Sequence, residues 1–175
     1  MESNFSMVVE TMKPVSLCLV QMGDKGLELV KAHPNVLPKQ VLNELTYKSM
    51  PMGAKPGEFS SAAVGDLYYS SYVFSLPRED SRDNIAAIIA VYNNMKYNIE
   101  GIRKVFSFIV KELDSKKLLK TEVVEEIMPN LYKGFESGHI KIKISSIATI
   151  DIDFSEKEEP EQKDITNDLE DDLWK

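Results

Sequence analysis

The chain has 175 residues, 43% of them hydrophobic, and a formal net charge of −7 at neutral pH, which suits one folded domain with extensions. Its single cysteine, Cys18, excludes an internal disulfide and predicts a reducing, cytoplasmic setting, and its longest apolar run, "IAAIIAVY", is too short to span a bilayer. Between Ser155 and Lys175 nine acids face three lysines, so −6 of the charge sits there. The rest is nearly neutral, without the basic stripe of a nucleic-acid binder.

In chain order, residues 1–13 read as a flexible leader, since "MESNFSMVVETMK" lacks the basic start and apolar stretch of a secretory signal. "VSLCLVQM", the turn residues "GDKG" and "LELVKAHP" predict a hairpin. A helix follows, with Pro38 in its first turn and Val41, Leu42 and Leu45 on one face. "PMGAKPGE" ends it. "FSSAAV", Gly65-Asp66 and "LYYSSYVFSLP" predict a second hairpin, with Tyr68, Ser70, Tyr72, Phe74 and Leu76 on one side. "NIAAIIAVYNN" is apolar on both faces, as a central strand covered above and below requires.

Asn98 is a good N-cap for the next helix. Its apolar stripe runs through Ile99, Ile102, Val105, Phe106, Ile109, Val110 and Leu113, and Phe108 widens it, which predicts contact with both the sheet and another helix. The partner is "TEVVEEIMPNLYKGFESG", in which Pro129 predicts a kink or a split and Gly134 and Gly138 are candidate stops. "HIKIKI" and "IATIDIDF" alternate, giving an added edge strand or ribbon with one wet face. From Ser155 onward the acidic, polar composition predicts disorder.

This order of elements resembles the longin domain, a member of the profilin-like folds. The resemblance covers roughly Val15 to Gly138. It rests on the hairpin "VSLCLVQMGDKGLELV", the loop "MPMGAKPGEF", the strands through "YVFSLP", and "NIAAIIAVYNN" leading into "NIEGIRKVFSFIVKEL". It implies an α+β fold, a five-stranded antiparallel sheet with one helix on one face and two on the other. Here that domain spans 14–154, including a C-terminal strand extension, and is followed by a disordered acidic tail at 155–175. The related roadblock fold starts with a helix, for which residues 1–13 are poorly suited.

The resemblance implies no reaction, cofactor or metal. It implies a docking platform in vesicle trafficking or small-GTPase regulation, with a small GTPase or trafficking complex as partner, and it leaves homodimers and heterodimers open. The chain lacks the heptad segment and membrane anchor of the SNARE members, so membrane fusion is not implied. Profilin-like sheets also occur in sensory domains, which makes a small-molecule-sensing or roadblock-like regulatory domain the alternative.

Side chains that could carry chemistry are sparse. His33 and His139 read as surface residues, and Cys18 as a buried small residue. "PMGAKPGE" is not a phosphate loop, because it feeds a strand and Lys55 is followed by proline. The tyrosines Tyr68, Tyr69 and Tyr72 read as core with hydroxyls at the rim, or as a partner surface. Lys111, Lys116, Lys117, Lys120, Lys141 and Lys143 read as a solvated surface, since Glu112 and Asp114 are interspersed; the alternative is weak peripheral contact with anionic lipid or an acidic segment.

The one tryptophan, Trp174, lies in "DLEDDLWK". On a helix Ile165, Leu169 and Leu173 form one stripe beside it, and such a segment can fold on binding. Tryptophan's weight at binding hot spots favours a docking motif over an inert solubilising tail. Longin domains dock segments of their own chain in a groove beside the first helix, which here implies Val41, Leu42 and Leu45, with Phe59.

Overall fold

The computed structural model describes residues 13–78, 83–145 and 148–153. The flexible-leader and disordered-tail readings fall outside those residues, save Lys13, whose ammonium lies 3.4 Å from Glu136. Strands β1 (Ser16–Gly23) and β2 (Gly26–His33) pair antiparallel across Asp24-Lys25, with Gly26 at φ 112°, a conformation that favours glycine. Helix α1 (Lys39–Lys48) starts behind Pro38. Strands β3 (Phe59–Val64) and β4 (Leu67–Leu76) turn on Gly65-Asp66, with Gly65 at φ 60°.

Strand β5 (Asn84–Tyr92) pairs with β1 on one side and β4 on the other, giving one antiparallel sheet in the order β2-β1-β5-β4-β3. The central place of β5 accounts for its two-sided apolar sequence, and Ala86 to Tyr92 are all buried. The class is therefore α+β with a five-stranded antiparallel sheet.

Side-chain alternation divides the core in two. Leu17, Leu19, Ala86, Ile88 and Ala90 join one cluster, and Cys18, Val20, Ala87, Ile89 and Val91 the other. The first also holds Ile102, Val105, Phe106, Ile109 and Leu113 of α2 (Ile99–Ser115) and Val124, Ile127, Met128, Leu131 and Phe135 of α3 (Thr121–Ser137). The second holds Leu45 of α1, with Leu37 and Met50. Each such side chain contributes about 1.5–3 kcal/mol when fully buried. Asn98 caps α2 as expected, its side-chain oxygen accepting the Gly101 N–H at 2.8 Å.

Several expectations are narrowed or change. Pro129 does not split its helix, for α3 is continuous from Thr121 to Ser137. Proline has no N–H to donate to the carbonyl four residues back, that of Glu125. The Lys31 ammonium of β2 donates to that carbonyl instead, at 3.1 Å, so the freed acceptor keeps a partner.

Of the two forms read for the alternating segments, edge strand or ribbon, the structure has the ribbon: β6 (His139–Ser145) pairs with β7 (Ala148–Asp153), apart from the main sheet. Its dry face buries Ile140, Ile142 and Ile150 in the α2/α3 cluster. Gly134 is no stop either: it lies inside α3, and a Cβ there would collide with Ile140, so the missing side chain is what lets the ribbon approach. The stop is Gly138, at φ 82°. Finally, Ile99 and Phe108 are not core residues; each is 40% exposed.

Candidate functional site

The expected groove residues separate. Leu45 is fully buried and offers nothing to a partner. Val41 and Leu42 are half-buried and pack on the same cluster. Phe59 belongs to the opposite face: it pairs with Tyr72 and packs against the α2/α3 cluster. The α1 surface is thus Val41 and Leu42, with Tyr47 exposed on the helix and Val36 and Met52 exposed in the flanking loops.

Strand β4 fixes the end of that helix. The Ser71 hydroxyl donates to the Ser49 carbonyl at 2.8 Å and the Tyr69 hydroxyl to the Lys48 carbonyl at 3.3 Å, taking up acceptors that a helix end leaves free. Burial raises the pKa of Tyr69, so it remains a donor at neutral pH.

Strand β3 forms one border of the sheet. Ser60, Ser61, Ala62 and Ala63 are exposed on it, small and uncharged. Beside them lies an apolar recess of about 240 Å³, lined by Ser61, Ala62, Ala63, Tyr68, Met95, Tyr97 and Ile99. Its floor is organised: the Tyr97 ring stacks on Tyr92 with centroids 4.1 Å apart, and hydroxyls connect Ser61 to Ser70 at 2.7 Å and Ser70 to Tyr97 at 3.1 Å. Tyr72 is core and Tyr68 lies at the rim of this recess, while Tyr69 points into the α1 cluster.

The cysteine and the two histidines lie in different parts of the fold. Burial pushes the Cys18 thiol up to about 12, against a smaller downward pull from Ser16, so it stays protonated. His33 is half-buried with its ring edge-on to Tyr132 at 5.6 Å; burial, then Lys31 and Lys133, lower its pKa. His139 is exposed on the ribbon, 2.5 Å from Asp151. Among the described residues no three His, Cys, Asp or Glu side chains gather as metal ligands, and no buried side-chain nitrogen or oxygen lacks a hydrogen-bond partner. Lys55 is exposed in a loop that leads into β3.

The lysines do not form one patch. Lys116 pairs with Glu112 at 2.7 Å. Lys117 and Lys120 share a recess of about 220 Å³ with Arg78 and Asp114. Lys111 faces another, of about 360 Å³, with Glu100, Arg103, Lys104, Ser107 and Phe108 along α2. Lys141 and Lys143 are exposed on the ribbon. No helix among the described residues is long and apolar enough to cross a membrane.

Sequence reasoning passed over the exposed apolar side chains Tyr47 and Met95, and it assigned the exposed Ile99 and Phe108 to the packed stripe of α2. The signal for Phe108 was present: it sits two positions from both Phe106 and Val110, off the α2 stripe. Ile165, Leu169, Leu173 and Trp174 lie outside the described residues. No protein-family model matches the chain, and a search of curated proteins finds no match.

Proposed function

We propose that the chain is a cytoplasmic, non-enzymatic interaction module of the longin type, an adaptor or regulator in vesicle-trafficking or small-GTPase systems. The acidic segment 155–175 is its partner-binding or self-docking motif. The observation that carries this reading is the strand order β2-β1-β5-β4-β3, with the core side chains of α1 in one cluster and those of α2 and α3 in the other. This arrangement supports the resemblance, which implies a single sheet with one helix on one face and two on the other. Support also comes from the thiol locked in the core and from the scattered histidines, which leave surfaces and not a reaction centre as the described features. Capture of purified small GTPases by the full chain, in both nucleotide states, tests the reading. State-dependent capture supports it, and equal absence of binding across a broad panel removes the GTPase arm.

The recess beside Tyr97 favours a second reading, a small-molecule-sensing or roadblock-like regulatory domain. At about 240 Å³ it is smaller than ligand sites of roughly 300–1,000 Å³ usually are, which ranks this reading second. A small molecule retained in native mass spectrometry would reverse the ranking.

A further inference from the structure

We propose that residues 155–175 dock in cis on the outer face of α2, their apolar side chains against Phe108 and their acids against Arg103, Lys104 and Lys111. This deepens the reading of that segment as a binding motif and rests on it. It moves the docking surface away from α1.

The surface has the right chemistry. Phe108 is 40% exposed within the recess of about 360 Å³, and three cations there face one acid, Glu100. Arg103 and Glu100 pair at 3.3 Å in solvent, while Lys104 and Lys111 form no ion pair among the described residues. The occupant is complementary, with nine acids against three lysines. If helical, it sets Asp164, Asp168 and Asp172 in a row next to the row of Ile165, Leu169 and Leu173. Lys104 and Lys111 flank Phe108 in the same manner, one turn to either side. A helix this short is marginal alone, so the surface supplies what stabilises it.

The point of departure also fits. Asp153, at the end of β7, pairs with His139, directly after the α3 cap Gly138. In the last turns of α3, Phe135 meets Phe106 of α2, ring centroids 6.0 Å apart, and β7 itself touches α2. The chain therefore leaves the body beside α2. Twelve residues from Asp153 to Ile165 span up to about 40 Å at about 3.3 Å each. The 17 residues of α2 are about 26 Å long. Every turn of α2 is within reach. The rival surface, α1, packs in the other core cluster, and its charges nearly cancel, with Lys48 tied to Glu44 at 2.8 Å.

Trp174 is the only tryptophan, so its fluorescence reports the docking directly. In the full chain its emission should be blue-shifted, and severalfold less quenched by acrylamide, than in a synthetic 155–175 peptide, independently of protein concentration. The double variant Lys104→Glu/Lys111→Glu, both sites solvent-exposed, should restore the peptide's emission with the circular dichroism of the fold unchanged. Phe108→Ser should do so in part. The α1-side variant Tyr47→Asp should leave the shift in place.

Peptide-like emission from the wild type, a shift that survives Lys104→Glu/Lys111→Glu, or a shift that grows with concentration would each overturn cis docking on α2. So would loss of the shift in Tyr47→Asp. GTPase capture by the wild type is measured apart, so failure of the module reading stays distinct from failure of the docking.

Discussion

In one of the two core clusters, the 10-residue α1 brings one fully buried leucine, Leu45, together with Cys18, Val20 and Ile89. In the other, residues of two 17-residue helices and of the ribbon join Leu17, Leu19 and Ile88. The two clusters are held by different means. Helices α2 and α3 bury wide apolar stripes against the sheet and each other, so no single side chain carries the layer. Helix α1 has too little apolar surface for that. It is tied at its C-terminal end by Ser71 and Tyr69 of β4, and Thr46 turns its hydroxyl back to the Leu42 carbonyl at 2.7 Å. The short helix leans on polar ties, where the long pair adds area to ties such as that of Lys31.

Leu45→Ala would test this contrast most severely. It should cost about 3 kcal/mol in chemical denaturation, the usual loss for a leucine in a sealed core. A smaller loss than for Val105→Ala on the opposite face would mean that α1 is not anchored by burial. Next comes Gly134→Ala. Alanine favours the helix by about 1 kcal/mol, but its methyl group falls into Ile140, and overpacking of this kind costs about 1–3 kcal/mol. A net loss that shrinks when Gly134→Ala is made in an Ile140→Ala background would place the ribbon firmly on α3; a net gain would show that it is loosely seated. Lys31→Met should cost about 1.5 kcal/mol, the scale of a hydrogen bond to a charged group. It leaves the Glu125 carbonyl without its donor.

The smallest expected effect is in pH dependence. The folded state lowers the pKa of His33, by burial first and then by Lys31 and Lys133. The unfolded chain therefore binds the proton more readily, and stability is full above about pH 6.5 and declines as the pH falls below it. Denaturant midpoints from about pH 7 to about pH 5 should show a downward slope that His33→Gln removes and Lys31→Met reduces. A slope unchanged by either substitution would assign it to other groups.

Much of the sheet was legible in sequence because its signals are local. The glycines at Gly26 and Gly65 mark the two hairpins, Asn98 marks a helix start, and two-sided apolar residues mark β5 as central. What failed was what neighbours decide. Phe59 was placed beside α1, yet the pairing of Phe59 with Tyr72 turns it to the other face. Leu45 was assigned to a groove, but the same helical stripe that identifies it also seals it under α1. The α2 stripe was drawn too wide, since hydrophobicity alone cannot tell a buried Phe106 from a half-exposed Phe108. The small exposed side chains of β3 and the cations around Phe108 come together only once the chain is folded.

The tie between Lys31 and the Glu125 carbonyl has an evolutionary consequence. Pro129 is tolerable in mid-helix because a residue far away in sequence answers the acceptor it strands, so the two positions are epistatic. Restoring an N–H with Pro129→Ala should make the lysine dispensable, and the cost of Lys31→Met should shrink in that background. Lineages that lose one partner are then released to lose the other, and covariation between these two sites is the trace such coupling leaves.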